Sequence, residues 1–117
     1  MTTTHTPGPW RIVDREVMED GSVYPCHILG GTADYQVCAL ESPDIAKRGV
    51  EQPHLFPGLN GVLGPNARLI AAAPDLLLAL ERITSSYHAL LGRTPVRDAP
   101  ETLAEADAAI AKARGAQ

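Results

Sequence analysis

From Asn66 to Leu91 the apolar residues Leu69, Ala73, Leu76, Leu80, Ile83, Tyr87 and Leu90 recur at alternating spacings of four and three, and Ile70, Leu77 and Leu91 widen the stripe. Residues three and four apart share one face of a 3.6-residue turn, so this period predicts a long amphipathic helix. The phase runs unbroken through Pro74, whose ring removes the hydrogen bond to Ile70. The pattern therefore predicts one kinked helix or two helices meeting end to end. Gly92 supplies a stop. Beyond it, Asp98-Ala99-Pro100-Glu101 reads as a capping box, and Leu103, Ala106, Ile110 and Ala113 mark a shorter amphipathic helix. A connection as short as Gly92 to Ala99 sets two helices antiparallel, so residues 66–115 are expected to form a helical hairpin.

The N-terminal third has a different texture. Trp10 to Val13, Val23 to Leu29 and Tyr35 to Leu40 are short β-rich runs separated by Asp20-Gly21-Ser22 and Gly30-Gly31. They predict an antiparallel meander of about three strands over residues 9–40. Strict alternation places Trp10 and Ile12 on one face and Tyr35, Val37 and Ala39 on one face. Pro25 marks its run as an edge strand, or as a strand that begins only at Cys26. Residues 41–65 hold eight Gly or Pro and show no period, which reads as a long loop. Its first half, with Asp44, Lys47, Arg48 and Glu51, is expected to be mobile. Its second half, with Leu55, Phe56, Leu59, Val62 and Leu63, is too apolar for a solvated linker and is expected to pack on something, such as a neighbouring subunit. The fold class expected is α+β, as a single domain over residues 1–117.

Composition narrows the function. With 117 residues, 44% of them hydrophobic, and a net charge of -4, the chain has the make-up of a compact domain and lacks the clustered Lys and Arg that a DNA-coating protein needs. Any nucleotide partner is therefore small. No run of eighteen apolar residues and no basic-then-apolar leader is present, so a cytosolic protein without a membrane role is expected. Cys26 and Cys38 are then expected to be buried and reduced.

Catalytic patterns are missing. His5, His27, His54 and His88 are scattered, and no Ser, Cys or Asp sits in a nucleophile-elbow, P-loop or paired-carboxylate context. Cys26, His27, Cys38 and His54 lack the close ligand pairs of zinc sites, and read instead as two buried thiols in strands and two surface imidazoles. Asp75, Glu81, Glu101, Glu105 and Asp107 suit helix N-termini and solvated faces. Trp10 reads as an anchor under the sheet. No enzyme, metal or cofactor is expected.

Three features point towards a ligand. Phe56, held in Leu55-Phe56-Pro57-Gly58, is either a base-stacking aromatic or a hydrophobic plug. Arg93 and Arg97 flank a constrained turn in an otherwise acidic chain, a fork that suits phosphate, although Arg93 also suits a helix C-terminus. Asn66 is either the N-cap of the long helix or an amide presented to a ligand at its N-terminus.

His5-Thr6-Pro7-Gly8-Pro9-Trp10 and Asn66-Ala67-Arg68-Leu69-Ile70-Ala71-Ala72-Ala73-Pro74-Asp75-Leu76-Leu77 resemble a recurrent pattern of small bacteriophage and prophage proteins. Within that group the chain is similar to the Thoeris anti-defence sponge family, phage proteins with an N-terminal sheet and C-terminal helices that bind, without cleaving, the cyclic ADP-ribose isomers made by bacterial TIR-domain enzymes. Some members also hold cyclic oligonucleotides in a hexamer. The resemblance implies that Asn66 opens the ligand motif, that Phe56 is the stacking aromatic, and that Arg97, with Arg82 or Arg93, contacts phosphate. It implies a homo-oligomer built on a dimer, working in the cytoplasm of the bacterial host. The rival expectation is a phage accessory module that binds a protein through the same apolar helix and loop and has no small ligand.

Overall fold

In a computed structural model of the chain, which describes residues 5–91 and 99–115, the fold class is α+β, with the antiparallel sheet preceding the helices. The elements are β1 (Trp10–Val13), β2 (Glu16–Val17), β3 (Val23–Tyr24), β4 (His27–Gly30), β5 (Tyr35–Ala39), α1 (Pro43–Glu51), a 3-10 turn (Gly58–Asn60), α2 (Leu63–Leu91) and α3 (Ala99–Ala113). They fall into two compact units that part at Pro74, inside α2.

In the unit His5–Pro74 the first four strands form one interrupted hairpin. β1 pairs with β4 and β2 with β3, and the register steps evenly from Val13 opposite His27 to Glu16 opposite Tyr24. The tip is closed by the Met18 N–H on the Ser22 carbonyl at 2.7 Å. Pro25 is the reason for the interruption. It has no N–H to offer across the ladder, so the run from Val23 to Leu29 splits around it, and β4 becomes the middle strand of a sheet ordered β1-β4-β5. That position buries Cys26 and Ile28 completely. It also buries His27, which was expected at the surface; its Nδ1 lies 2.8 Å from the Pro25 carbonyl and its ring meets Tyr24 edge-on.

β5 departs from strict alternation. Ile28 faces Cys38 while Leu29 faces Gln36, so Val37 is an extra residue, a β-bulge. The shared face expected for Tyr35, Val37 and Ala39 is therefore lost: Tyr35 and Ala39 are exposed, and Val37 and Cys38 are both half-buried. Trp10 is half-buried at the end of the sheet. Its indole N–H donates to the Thr6 carbonyl at 2.9 Å, and its ring lies where a Cβ on Gly30 would sit.

The loop expected over residues 41–65 is mostly regular structure, and its first half is a helix instead of a mobile segment. Ser42 caps α1, its hydroxyl accepting the Ile45 N–H at 3.1 Å, with Pro43 opening the helix and Asp44 in the first turn. These are strong helix-start residues, outweighed in the composition by the glycine and proline around them. α1 packs against β3 and buries Ala46 and Gly49.

One ion pair gathers this unit. Arg15, between β1 and β2, donates Nε and Nη2 to the two carboxylate oxygens of Glu41 at 2.8 and 2.6 Å, and Nη1 to the Phe56 carbonyl at 3.0 Å. The Cys26 N–H completes the set with a 2.9 Å bond to Glu41. Both side chains are largely withdrawn from solvent, 12% and 5% exposed. The guanidinium lies against two glycines. A Cβ at Gly49 would overlap it, and one at Gly58, where φ is +59°, would come within 3.0 Å of it. Part of the glycine content of residues 41–65 is thus space for Arg15.

α2 begins at Leu63, three residues before the expected start, and continues as one helix through Pro74. From Asp75 it lies antiparallel to α3. Glu81 accepts from Arg114 (Nε, 2.9 Å) and His88 meets Asp107 (3.2 Å), so the contacts step in opposite directions along the two helices. Thr84 on α2 and Leu103 on α3 are buried.

Gly49 gives a test with an unusual sign. Gly→Ala inside a helix ordinarily stabilises by about 1 kcal/mol. Here the added Cβ forces Arg15 off Glu41 and Phe56, so Gly49→Ala is expected to destabilise by about 1–3 kcal/mol. Urea unfolding followed by circular dichroism measures the difference.

Candidate functional site

The ion pair and the segment it holds form a groove. Arg15, Leu40, Glu41, Ile45, Leu55, Phe56, Pro57, Gly58, Val62 and Leu63 line a cavity of about 350 Å³. Small-molecule sites span roughly 300 to 1,000 Å³ and are walled mainly by apolar groups with a few fixed polar ones. This groove has that make-up. Its position follows from local structure: the chain leaves α1 at Gln52, whose carbonyl accepts the Leu55 and Phe56 N–H groups at 3.0 and 3.1 Å, and turns back through Gly58–Asn60 into α2. The Arg15 bond to the Phe56 carbonyl fixes this turn to the sheet.

The electrostatics are settled within the protein. Burial works against the Glu41 carboxylate, but the Arg15 hydrogen bonds and the Cys26 N–H outweigh it and hold its pKa below the ordinary 4.5. The Glu41 hydrogen bond raises the already high pKa of Arg15, burial opposing it. Burial, reinforced by Glu41 and Asp14, pushes the Cys26 thiol up to about 12. The thiol is therefore neutral at pH 7 and a poor nucleophile. Its Sγ lies 3.4 Å from Asp14, and both cysteines are free. The groove's charged pair is hydrogen-bonded to protein partners, and the rest of its lining is mainly apolar.

The residues singled out from the sequence are distributed unevenly. Phe56 is half-buried in the groove wall, between the two roles considered for it. Asn66 is exposed in the first turns of α2 and is not among the groove walls. It is not the N-cap, because its own N–H already donates to the Val62 carbonyl at 3.4 Å, inside a helix that started at Leu63. Arg82 is exposed and belongs to the unit that begins at Asp75, whereas Phe56 and Asn66 belong to the unit His5–Pro74. Arg93 and Arg97 lie outside the described residues. Arg15 and Glu41 were not anticipated. They stand 26 residues apart at the ends of strands, where a lone charge reads as solvated, and no spacing rule joins them.

A model of the family of Salmonella phage P22 protein Y8K6 matches residues 1–117. No curated protein and no solved structure matches the chain.

The Glu41 arrangement has a pH signature. A carboxylate whose folded pKa is lowered contributes stability in full above its unfolded value, and loses it as pH falls from there through the folded value. Stability is therefore expected to decline below the ordinary value of 4.5. Glu41→Gln, which leaves Arg15 buried without its counter-charge, is expected to cost about 3 kcal/mol at neutral pH and to flatten the acid limb. Denaturant melts between about pH 3 and 7, from roughly one unit below to about three units above ordinary carboxylate titration, compare the two proteins.

Proposed function

This chain belongs to the family of Salmonella phage P22 protein Y8K6, and on that premise we propose that it is a non-enzymatic phage anti-defence protein that sequesters a cyclic signalling nucleotide. The ligand class is a cyclic ADP-ribose isomer or a cyclic oligonucleotide, held in the cytoplasm of the bacterial host by a homo-oligomer. The observation that carries the reading is Phe56, half-buried in the wall of an apolar groove of about 350 Å³, with its carbonyl held by Arg15. A preset aromatic face stacks on a base without an ordering cost, and base stacking is sequence-tolerant and needs no catalytic group. Asn66 and the arginines Arg82, Arg93 and Arg97 are the proposed polar contacts, with chains meeting so that one supplies stacking and another supplies charge.

A second reading has its own support. Leu76, Ile83 and Leu90 are more than half exposed on one helix, a row that suits a protein partner. One experiment separates the readings. The protein is mixed with a TIR-made cyclic ADP-ribose isomer, freed of unbound ligand, heat-denatured, and the supernatant analysed. Intact nucleotide is expected. Altered nucleotide identifies an enzyme, and no capture leaves the protein-binding module.

Phe56→Ala is expected to weaken capture by about 1–3 kcal/mol with the fold retained. Unchanged affinity together with a large fall in melting temperature would identify Phe56 as a plug instead. Titration calorimetry and a thermal melt on the same variant decide between them.

A further inference from the structure

We infer that a second cavity, beside the β2–β3 ribbon, is a docking site for an extended segment of a partner protein, with an arginine or lysine side chain seated in it. The cavity shares only Glu41 with the Phe56 groove, and the inference is independent of the nucleotide reading.

The cavity follows from where β5 ends. His27 lies opposite Ala39, and the Leu40 N–H donates to the Cys26 carbonyl at 2.8 Å. Continuing that register would bring residue 42 beside Tyr24 and cover the outer edge of β3. Ser42 instead caps α1, which packs against β3 in its place. A cavity of about 390 Å³ remains, walled by Met18, Ser22 and Tyr24 from the hairpin and by Gln36, Ala39 and Pro43 from β5 and α1. The ribbon's register, Val17 opposite Val23 and Glu16 opposite Tyr24, puts Glu16, Met18, Ser22 and Tyr24 on one face.

The chemistry of these walls suits a cation on an apolar stem. Both hydroxyl protons are already placed, Tyr24 donating to Gln36 Oε1 at 2.9 Å and Ser22 to Asp20 at 2.5 Å. Their oxygens therefore present lone pairs. The charges around them have one sign. No Lys or Arg stands between Arg15 and Lys47, and of the six acids in that stretch Asp34, Glu41 and Asp44 pair with arginines. Glu16, Glu19 and Asp20 are exposed and have no ion-pair partner among the described residues. The Ser22 hydrogen bonds hold the Asp20 pKa below its ordinary 3.8, so this carboxylate is charged at neutral pH. An arginine side chain answers each feature. Its stem lies along Met18 and Pro43, its head stacks on the Tyr24 ring, which is 42% exposed, and its charge meets the acids of the ribbon.

β5 decides the source of the cation. It is an outer strand in the order β1-β4-β5, so an extended segment can pair along it and place a side chain in the cavity beside Ala39. The Val37 bulge breaks that edge and keeps the paired stretch short. A free amine would gain the cavity alone.

A random library of short linear peptides, selected on the immobilised full chain, tests this without any nucleotide. Selected sequences are expected to carry an arginine or lysine among β-branched residues. A labelled peptide from the selection is then titrated by fluorescence anisotropy. Glu16→Lys combined with Glu19→Lys is expected to weaken binding about tenfold or more, with the circular dichroism spectrum retained because both residues are exposed. Tyr24→Ala is expected to act in the same direction, and Tyr24→Phe, which keeps the ring, to stay within about threefold of wild type. Agmatine, a free alkylguanidine, is expected to displace the peptide only in excess on the order of a hundredfold. Selection that enriches nothing, or enriches sequences without a basic residue, would overturn the assignment. So would a selected peptide that binds the charge-reversed variant as tightly as wild type. Displacement by agmatine at a concentration equal to the peptide's would overturn the protein source and assign the cavity to a free cation.

Discussion

The fold of residues 5–74 depends on burying the charge of Arg15. A guanidinium removed from water loses its hydration, and the loss is offset only if its donors and its counter-ion are satisfied in good geometry. Here Nε and Nη2 fork onto Glu41, Nη1 takes the Phe56 carbonyl, and Glu41 also receives the Cys26 N–H. Among the described residues no buried side-chain nitrogen or oxygen lacks a partner. This arrangement ties the first strand, the start of the middle strand, the end of the last strand and the turn before α2 to one point. It also fixes what may stand nearby, which is why Gly49 sits inside a helix that would otherwise favour alanine.

The pair sits where the hairpin is broken. The Cys26 carbonyl accepts the Leu40 N–H at 2.8 Å, so the Cys26 N–H points to the same side and meets Glu41 just beyond the end of β5. Pro25 ends the ladder, so Asp14 and Arg15 depart from the strand and Arg15 reaches inward. One sequence feature that weakens the sheet thereby creates the buried contact that fastens the groove. The Phe56 segment gains its rigidity from that contact, and a rigid aromatic wall is what the proposed nucleotide site requires.

The later half of α2 shows how one periodic helix can serve two neighbours. A stripe wide enough to include Leu76, Leu77, Leu80, Ile83, Leu90 and Leu91 exceeds what a single short helix such as α3 covers. The ion pairs to α3 are half-exposed and weak, so they mark its register more than they hold it. The remaining face is apolar, regular and flanked by opposite charges.

The sequence by itself determined the class of fold. The long helix, the short one after Gly92 and the N-terminal strands are set by periodicity, caps and turn residues, which act between neighbours and so are written locally. It also set the exposed row of α2, since a spacing of seven is local too. The helix at Pro43–Glu51 was legible in Ser42-Pro43-Asp44, but overall glycine and proline content concealed it. Only the tertiary structure decided that Arg15 meets Glu41, that His27 is buried, that Val37 is a bulge, and that Asn66 lies inside its helix instead of capping it. The ion pair and the bulge depend on which distant segment comes to lie opposite. That is a property of the folded chain as a whole, and no window of neighbouring residues contains it.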